Sequence, residues 1–453
     1  MRYIPARQWF IQRLIVSAFA VLIFTSIRNI VPAMSDDVAT MATTGALVDH
    51  GTLAIPHMQW LDDQVGIGAK GRDGQLYSKY GIGQVILSAP LYALGKLIPS
   101  SPLVILSHPI AASLSGAEFA SLLNPLAIGI LLWIVQLLVE EKWGISGGMA
   151  ALAAAFTTPL FMAARMYGSE ITTGIFLALA ALACLRRRLA LGILLVGVAA
   201  LFRPSAIVFA AGWVILLIHR PRREWLRCGA AMAAGILTLG MFNIIRYGSF
   251  FESGYGQQLG FSLQINGLLG FLVSPGRSII LFVPWVLLAV PAVYQAARIR
   301  DQYLLGLFIG TAVYIVVHAA WSEWHGGWSY GPRLLLPIIP ILSILVAPWL
   351  TRRSALPLLL LGLVIELMTF RVNPFQVLQS ALQSGLTLDQ TIWSLDSGAL
   401  VLQARSLLVS HDGLSIVAIV MGCLALVGAQ MYWRSRDFAS NHKANLPYSD
   451  AAT

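Results

Sequence analysis

Apolar residues fall along the chain in long unbroken runs, with neither the strict alternation of a half-buried strand nor the single stripe of a surface helix. Runs of about 20 apolar residues, the length that crosses roughly 30 Å of hydrocarbon, recur from Phe10 to Trp433 with short polar interruptions. The pattern predicts spans at 10–30, 118–139, 146–163, 169–185, 189–202, 205–218, 226–245, 278–297, 302–320, 334–350, 355–370 and 414–433. That is an all-α polytopic membrane protein with about twelve crossings, in a range of roughly eleven to thirteen. Two further apolar pieces, 82–98 and 103–115, are interrupted by Pro90, Pro99, Pro102 and Pro109. They read as interfacial segments or as a hairpin that leaves sidedness unchanged. A transmembrane barrel is excluded, because its segments of about ten residues would alternate in polarity.

Composition agrees. Of 453 residues, 57% are hydrophobic and 11% charged, against about 25% charged in soluble proteins. The net charge of +10 is not a nucleic-acid footprint, because the basic residues sit in short loops between apolar runs: Arg186 to Arg188, Arg220 to Arg223, Arg298 and Arg300, Arg352 and Arg353. That is the positive-inside signal. It puts the N-terminus in the cytoplasm and the long, chemically varied loops 31–81, 246–277, 321–333 and 371–413 outside. The expected organisation is one transmembrane domain over 1–435 and a disordered, cytoplasmic polar tail over 436–453. The N-terminus carries Arg2, Arg7 and Arg13, but the apolar run to Ile30 lacks a small-residue cleavage site, so it reads as a retained helix. Cys184, Cys228 and Cys423 lie in or beside apolar runs without paired spacing, which supports neither a disulfide framework nor a zinc site.

The first outer loop opens with Ser35-Asp36-Asp37-Val38 and continues to Leu47-Val48-Asp49-His50-Gly51. Ser35 or Asp36 can cap a short helix that Gly51 ends. Two readings of the acids stand: they complement a helix N-terminus, or a carboxylate beside the bilayer accepts a proton from a substrate hydroxyl. Lys79, in a Gly- and Tyr-rich return to the membrane, can snorkel or meet a phosphate. Further candidates for a polar cavity are Arg165, Tyr167, Glu170, Arg203 and Arg246, with Arg277 and Arg333 in Gly/Pro turns that fix the backbone. Arginine grips phosphate through paired hydrogen bonds that lysine lacks. Trp321, Trp324, Trp328 and Tyr330 fit an aromatic belt or a sugar-stacking wall. Glu323 and His325 are a weak metal signal.

Six stretches then carry a resemblance: Ser35-Asp36-Asp37-Val38, Leu47-Val48-Asp49-His50-Gly51-Thr52-Leu53, Asp73-Gly74-Gln75-Leu76-Tyr77-Ser78-Lys79-Tyr80-Gly81-Ile82-Gly83-Gln84, Ala89-Pro90-Leu91-Tyr92, Ser274-Pro275-Gly276-Arg277-Ser278, and Trp324-His325-Gly326-Gly327-Trp328-Ser329-Tyr330-Gly331-Pro332-Arg333. In order and spacing they resemble the multi-pass GT-C glycosyltransferases of bacteria, in the branch of the protein O-mannosyltransferases and the lipid A aminoarabinose transferase. The resemblance runs from the first helix to about residue 340 and stops before 371. Where that family usually has Asp-Glu, this chain has Asp36-Asp37.

The resemblance implies a glycosyltransferase that takes a sugar from a polyprenyl-phosphate donor, in the inner membrane of a bacterium, and passes it to a protein, lipid or glycan hydroxyl on the outer side with inversion. It implies Asp36 as general base with Asp37 beside it, and Lys79, Arg277 and Arg333 on the donor phosphate. Tyr80, Gln84, Arg165, Tyr167, Glu170, Arg203, Arg246, His325 and Tyr330 are candidate cavity-lining residues. A divalent ion at Asp37 is left open. No nucleotide cofactor is expected, since no strand, Gly-rich turn and helix series is present, and no nucleic-acid partner. The rival reading is a transporter or lipid flippase, which would show an internal repeat and charges near the midplane.

Overall fold

The structure, a computed structural model, describes residues 6–258, 260–262, 265–410 and 412–444. Among these, six helical stretches are long and apolar enough to cross a membrane: Gln8–Ser26, Leu114–Trp143, Arg222–Tyr247, Gln302–Ala320, Arg333–Leu350 and Gly413–Arg434. Shorter apolar helices lie between them, including Glu170–Leu185, Leu189–Ala200 and Pro204–Leu217. The other expected spans are occupied by interrupted helices. The 146–163 run divides into Gly148–Phe156 and Leu160–Ala163 at Pro159, and the 278–297 run breaks before Pro284, because proline lacks the N–H that continues a helix. The count of about twelve crossings is therefore not matched by twelve full-length helices among the described residues.

The outward surface is apolar. Leu14, Ile15 and Leu22 on the first helix, Leu237, Met241 and Ile245 on Arg222–Tyr247, and Val420 and Leu424 near the C-terminal end are all exposed, a surface that suits lipid and not water. Ile339–Leu350 is buried almost throughout and forms the centre of the bundle. Small residues set the closest approaches. A Cβ at Gly212 would lie 2.1 Å from the Gly306 carbonyl oxygen, so glycine alone lets Pro204–Trp213 lie flush against Gln302–Ala320. This contact brings Ser205 beside His318.

Polar contacts sort the loops into two ends. At one, Arg13 pairs with Glu140 at 2.8 Å, Arg186 with Glu141, and Lys142 with Asp301, while Gln430 donates to the Leu350 and Arg352 carbonyls. At the other, the Asn29 amide donates to Arg165 O at 2.8 Å and the Gly276 amide to Ile392 O at 3.0 Å. These are the two groups into which alternation along the chain divides the loops.

The 31–81 segment folds over the second end around a small core of Val38, Met41, Ala46, Ile55, Met58, Leu76 and Tyr92. Its helices are Ser35–His50, closed by Gly51 at φ 66°, and Gln59–Val65. Two short antiparallel hairpins complete this cap, Gly68–Lys70 with Leu76–Ser78 and Pro102–Ile105 with His108–Ser113. Of the two readings of 103–115, interfacial segment or hairpin, the structure has a short β-hairpin. Gly81 fits where any Cβ would stand 2.3 Å from the Leu201 carbonyl oxygen, which lets the chain after Tyr80 turn in against residues 201–203. At the other terminus the last helix runs from Gly413 to Ala444, so 436–444 are helical and not the disordered tail expected. Residues 445–453 of that tail lie outside the described residues.

Candidate active site

Beneath the cap lies a cavity of about 1130 Å³, lined by residues 28–38 of the first outer loop, Lys79, Tyr80 and Gly81, residues 202–205, and side chains from Tyr255 to Phe261 and from Val317 to Leu334. Its walls are apolar over much of their extent, with Trp60, Leu61, Val208, Phe261, Val317 and Phe375, and its charges gather on one side.

That side is a chain of four charged residues. Arg333 donates through Nη2 to Asp36 Oδ2 and through Nε to Glu170 Oε1 at 2.8 Å; Arg203 reaches the same Glu170 oxygen at 2.7 Å. Asp36 and Asp37 lie in the first turn of Ser35–His50, where acids complement a helix N-terminus, but neither they nor Ser35 caps it through a side-chain hydrogen bond. Burial pushes the Asp36 carboxyl up, but Arg333, with Arg203 behind it, outweighs this and holds it below the ordinary carboxylate value. Asp37 goes the other way. Burial and then the neighbouring Asp36 charge, with Glu170 adding to them, push it well above that value. Its Oδ2 accepts the Tyr167 amide at 3.3 Å, and its Oδ1 is buried without a partner. The two adjacent carboxyls are thus shifted in opposite directions, Asp36 down and Asp37 up.

Lys79 lines the same cavity. Its Nζ donates to the Gly66 carbonyl and, at 2.5 Å, to Gln258 Oε1, and it lies 5.2 Å from the Tyr255 ring centroid. Both oxygens are neutral, and among the described residues no carboxylate is within ion-pair distance of it. Burial lowers its ammonium, and Asp36, Asp62 and Glu323 offset part of this. It makes no direct ion pair, in a cavity where Arg203 and Arg333 are both paired.

Several expected residues serve the walls from behind. Arg277 is the main correction: it is fully buried, off the cavity, and its guanidinium is used up by the carbonyls of His325, Gly276 and Gly327 at 2.7–2.8 Å. It clamps the turn that leads to Arg333. Arg165 ties Ile27 O to Thr369 O and Phe370 O, Arg246 holds Ser78 O and Tyr80 O, and Gln84 holds the Tyr167 and Gly168 carbonyls. Tyr167 bonds Thr44 and Ser88, Tyr330 bonds Ile365 O, and His325 accepts the Gly327 amide at 3.0 Å. None of these five, nor His325, faces the cavity; Tyr80, Arg203 and Arg333 do, and Glu170 sits immediately behind them.

The cavity also has walls that sequence motifs do not mark. Asn373, Phe375, Gln376, Gln379 and Leu382 enter from the last outer loop, and Ser205 and His318 from within apolar runs. A histidine inside a membrane span is itself a pointer to function. The donor set does not fit a divalent ion: Asp36 faces a guanidinium, and among the described residues no group of three or more His, Cys, Asp or Glu is arranged to hold a metal.

No family model and no curated protein matches the chain. Solved structures do. The chain is similar to ArnT from Cupriavidus metallidurans in the apo state, with a TM-score of 0.54, 15% identity, and coverage of 95% of this chain and 73% of that one. This is the GT-C fold. The archaeal oligosaccharyltransferase AglB from Archaeoglobus fulgidus, solved with an inhibitory peptide and a dolichol-phosphate, matches at a TM-score of 0.47 and 12% identity, over 93% of this chain and 56% of that one. In the GT-C fold of the present chain, the cap over the bundle and the helix ends beneath it enclose Asp36, Lys79 and Arg333 together.

Proposed function

We propose that the protein is an integral membrane glycosyltransferase, working in the inner membrane of a bacterium, that moves a sugar from a polyprenyl-phosphate donor to an acceptor hydroxyl on the outer side. The observation that carries this reading is the cavity under the cap, apolar over much of its wall and holding a cation without a direct ion-pair partner, Lys79, together with the Asp36–Arg333 pair. A lipid-linked sugar phosphate has that composition: an apolar chain, an anion, and a polar group to transfer.

In this reading the donor phosphate meets Lys79 and competes with Asp36 for Arg333. Each step of Arg333 toward the phosphate weakens its hold on Asp36 and returns basicity to that carboxylate. The acceptor oxygen attacks the anomeric carbon from the face opposite the phosphate. Its proton passes to Asp36, the bond from the anomeric carbon to the phosphate oxygen breaks, and polyprenyl phosphate leaves with the electron pair. Configuration inverts. Lys79 and Arg333 stabilise the charge that develops on the leaving phosphate. Asp37, beside Asp36, orients that carboxylate or the acceptor. Arg277 has no part beyond holding the 325–327 turn.

The donor class is tested by lipid mass spectrometry on protein purified in mild detergent, wild type against Lys79→Ala. The expected result is a co-purified polyprenyl phosphate or its glycosylated form that the variant loses. Retention of other phospholipids alone, equal in both proteins, would rule the donor class out.

A further inference from the structure

Ser205 and His318 form a hydrogen-bonded pair on the cavity wall. His318 is 3% exposed. Its Nδ1 stands 2.8 Å from the Tyr314 carbonyl oxygen, and its ring packs on the Tyr314 ring with centroids 4.1 Å apart. A carbonyl only accepts, so Nδ1 carries the hydrogen; in the neutral imidazole Nε2 is then an acceptor. The Ser205 hydroxyl, 3.0 Å from Nε2, therefore donates to it. With its hydrogen engaged by His318, Ser205, which lines the cavity and also has the Tyr314 side chain in hydrogen-bond reach, has only lone pairs left to offer a further group. Such a group repels phosphate oxygens, gains nothing from a polyprenyl chain, and binds a hydroxyl that donates to it.

Position narrows the partner. Ser205 lies two residues after Arg203, whose guanidinium joins Glu170 and through it Arg333, the group assigned above to the donor phosphate. A sugar esterified to that phosphate lies within a few bonds of it. We infer that Ser205, oriented by His318, accepts a hydrogen bond from one hydroxyl of the donor's glycosyl group and so selects among donor sugars. This rests on the glycosyltransferase reading. Ser205 is the specificity residue and His318 its positioning residue, since the imidazole acts only by fixing which way the hydroxyl hydrogen points.

The experiment uses the full-length protein and a panel of polyprenyl-phosphate hexoses and pentoses with their singly deoxygenated forms, comparing kcat/KM. Loss of one neutral hydrogen bond is worth about tenfold. In the wild type, one deoxy position should lower kcat/KM by about that factor. Ser205→Ala should lower the parent sugar equally and leave that one deoxy form unaffected, so that the two changes are not additive. Ser205→Thr, which keeps the hydroxyl, should restore the discrimination, and His318→Leu should erase it at the same position only. Equal losses on the parent and every deoxy form would mean a structural role and overturn the inference. So would a change confined to acceptor preference, or covalent labelling of Ser205 by a fluorophosphonate, which would make it a nucleophile. If the wild type transfers sugar from none of the panel, the enzymatic reading falls and this inference with it; if it transfers and discrimination survives Ser205→Ala, this inference falls alone.

Discussion

Arg333→Ala removes the guanidinium that joins Asp36 to Glu170. Glu170 keeps Arg203 at 2.7 Å, but Asp36, its side chain 14% exposed, is left with no cation in ion-pair range among the described residues. Two routes relieve this. Keeping Asp36 ionised and unpaired costs about 3–5 kcal/mol. Protonating it at about pH 7, against an ordinary value of 3.8, costs about 4 kcal/mol. The two agree, so the variant should lose about 3–4 kcal/mol at neutral pH. The pH dependence follows from the sign. The folded-state value of Asp36 is depressed, so its contribution is fully present above the ordinary carboxylate value and lost as pH falls through the lower folded one. Chemical unfolding in mixed micelles, at about pH 7 and about pH 3.5, should therefore show a large difference between wild type and variant that shrinks at the lower pH. Arg333→Lys should recover part of it, because one ammonium cannot meet Asp36 and Glu170 with the paired geometry. A difference that stays the same at both pH values, or none at neutral pH, would refute the buried ion pair.

Asp37→Asn should behave oppositely: the raised value of Asp37 means its contribution is complete at low pH and eroded as pH climbs from the ordinary carboxylate range, so the amide should cost little at neutral pH and flatten the alkaline loss in the same unfolding assay. Lys79→Ala and Arg277→Ala separate phosphate contact from support. The first should weaken donor binding about tenfold or more with stability little changed; the second should lower stability by about 3 kcal/mol or more, since three buried carbonyls lose a charged donor. Sidedness is checked by single cysteines: positions 60, 325 and 390 should react with an impermeant reagent from the outer face of spheroplasts, and 187 and 222 should not.

Much of this architecture was legible because hydropathy and charge act over long stretches. Apolar runs and basic loops predict a bundle with two distinct ends, and the contacts of Arg13, Lys142 and Arg186 at one end and of Arg165 and Arg333 at the other divide the same way. Asp36 and Arg333, almost 300 residues apart, are expected from the resemblance in one site, but with Arg333 on the donor phosphate; their direct pairing is a finding of the structure. What stayed hidden depends on backbone geometry. Arg277 looks like a phosphate ligand in sequence because carbonyls are invisible there, yet three of them consume its guanidinium. Ser205 and His318 disappear into apolar runs, and the close packing of the two helices at Gly212, Gly306 and Gly310 brings them together. Asn373 to Leu382 carry no motif, and reach the cavity because Arg165 anchors Thr369 and Phe370 just before them. Helix lengths were misjudged where Pro159 and Pro284 cut a continuous apolar run.

The central claim is that Asp36 is the base of a sugar transfer from a lipid-linked donor. Its most direct measurement is single-turnover transfer from a bound polyprenyl-phosphate sugar by wild type and Asp36→Asn, with donor binding measured separately in the same detergent. Loss of a general base typically costs about 10²- to 10⁴-fold, while the near-isosteric amide removes a negative charge and should leave the donor bound as tightly or more so. The account predicts that fall in rate with binding retained. Transfer by the folded Asp36→Asn protein at the wild-type rate would contradict it.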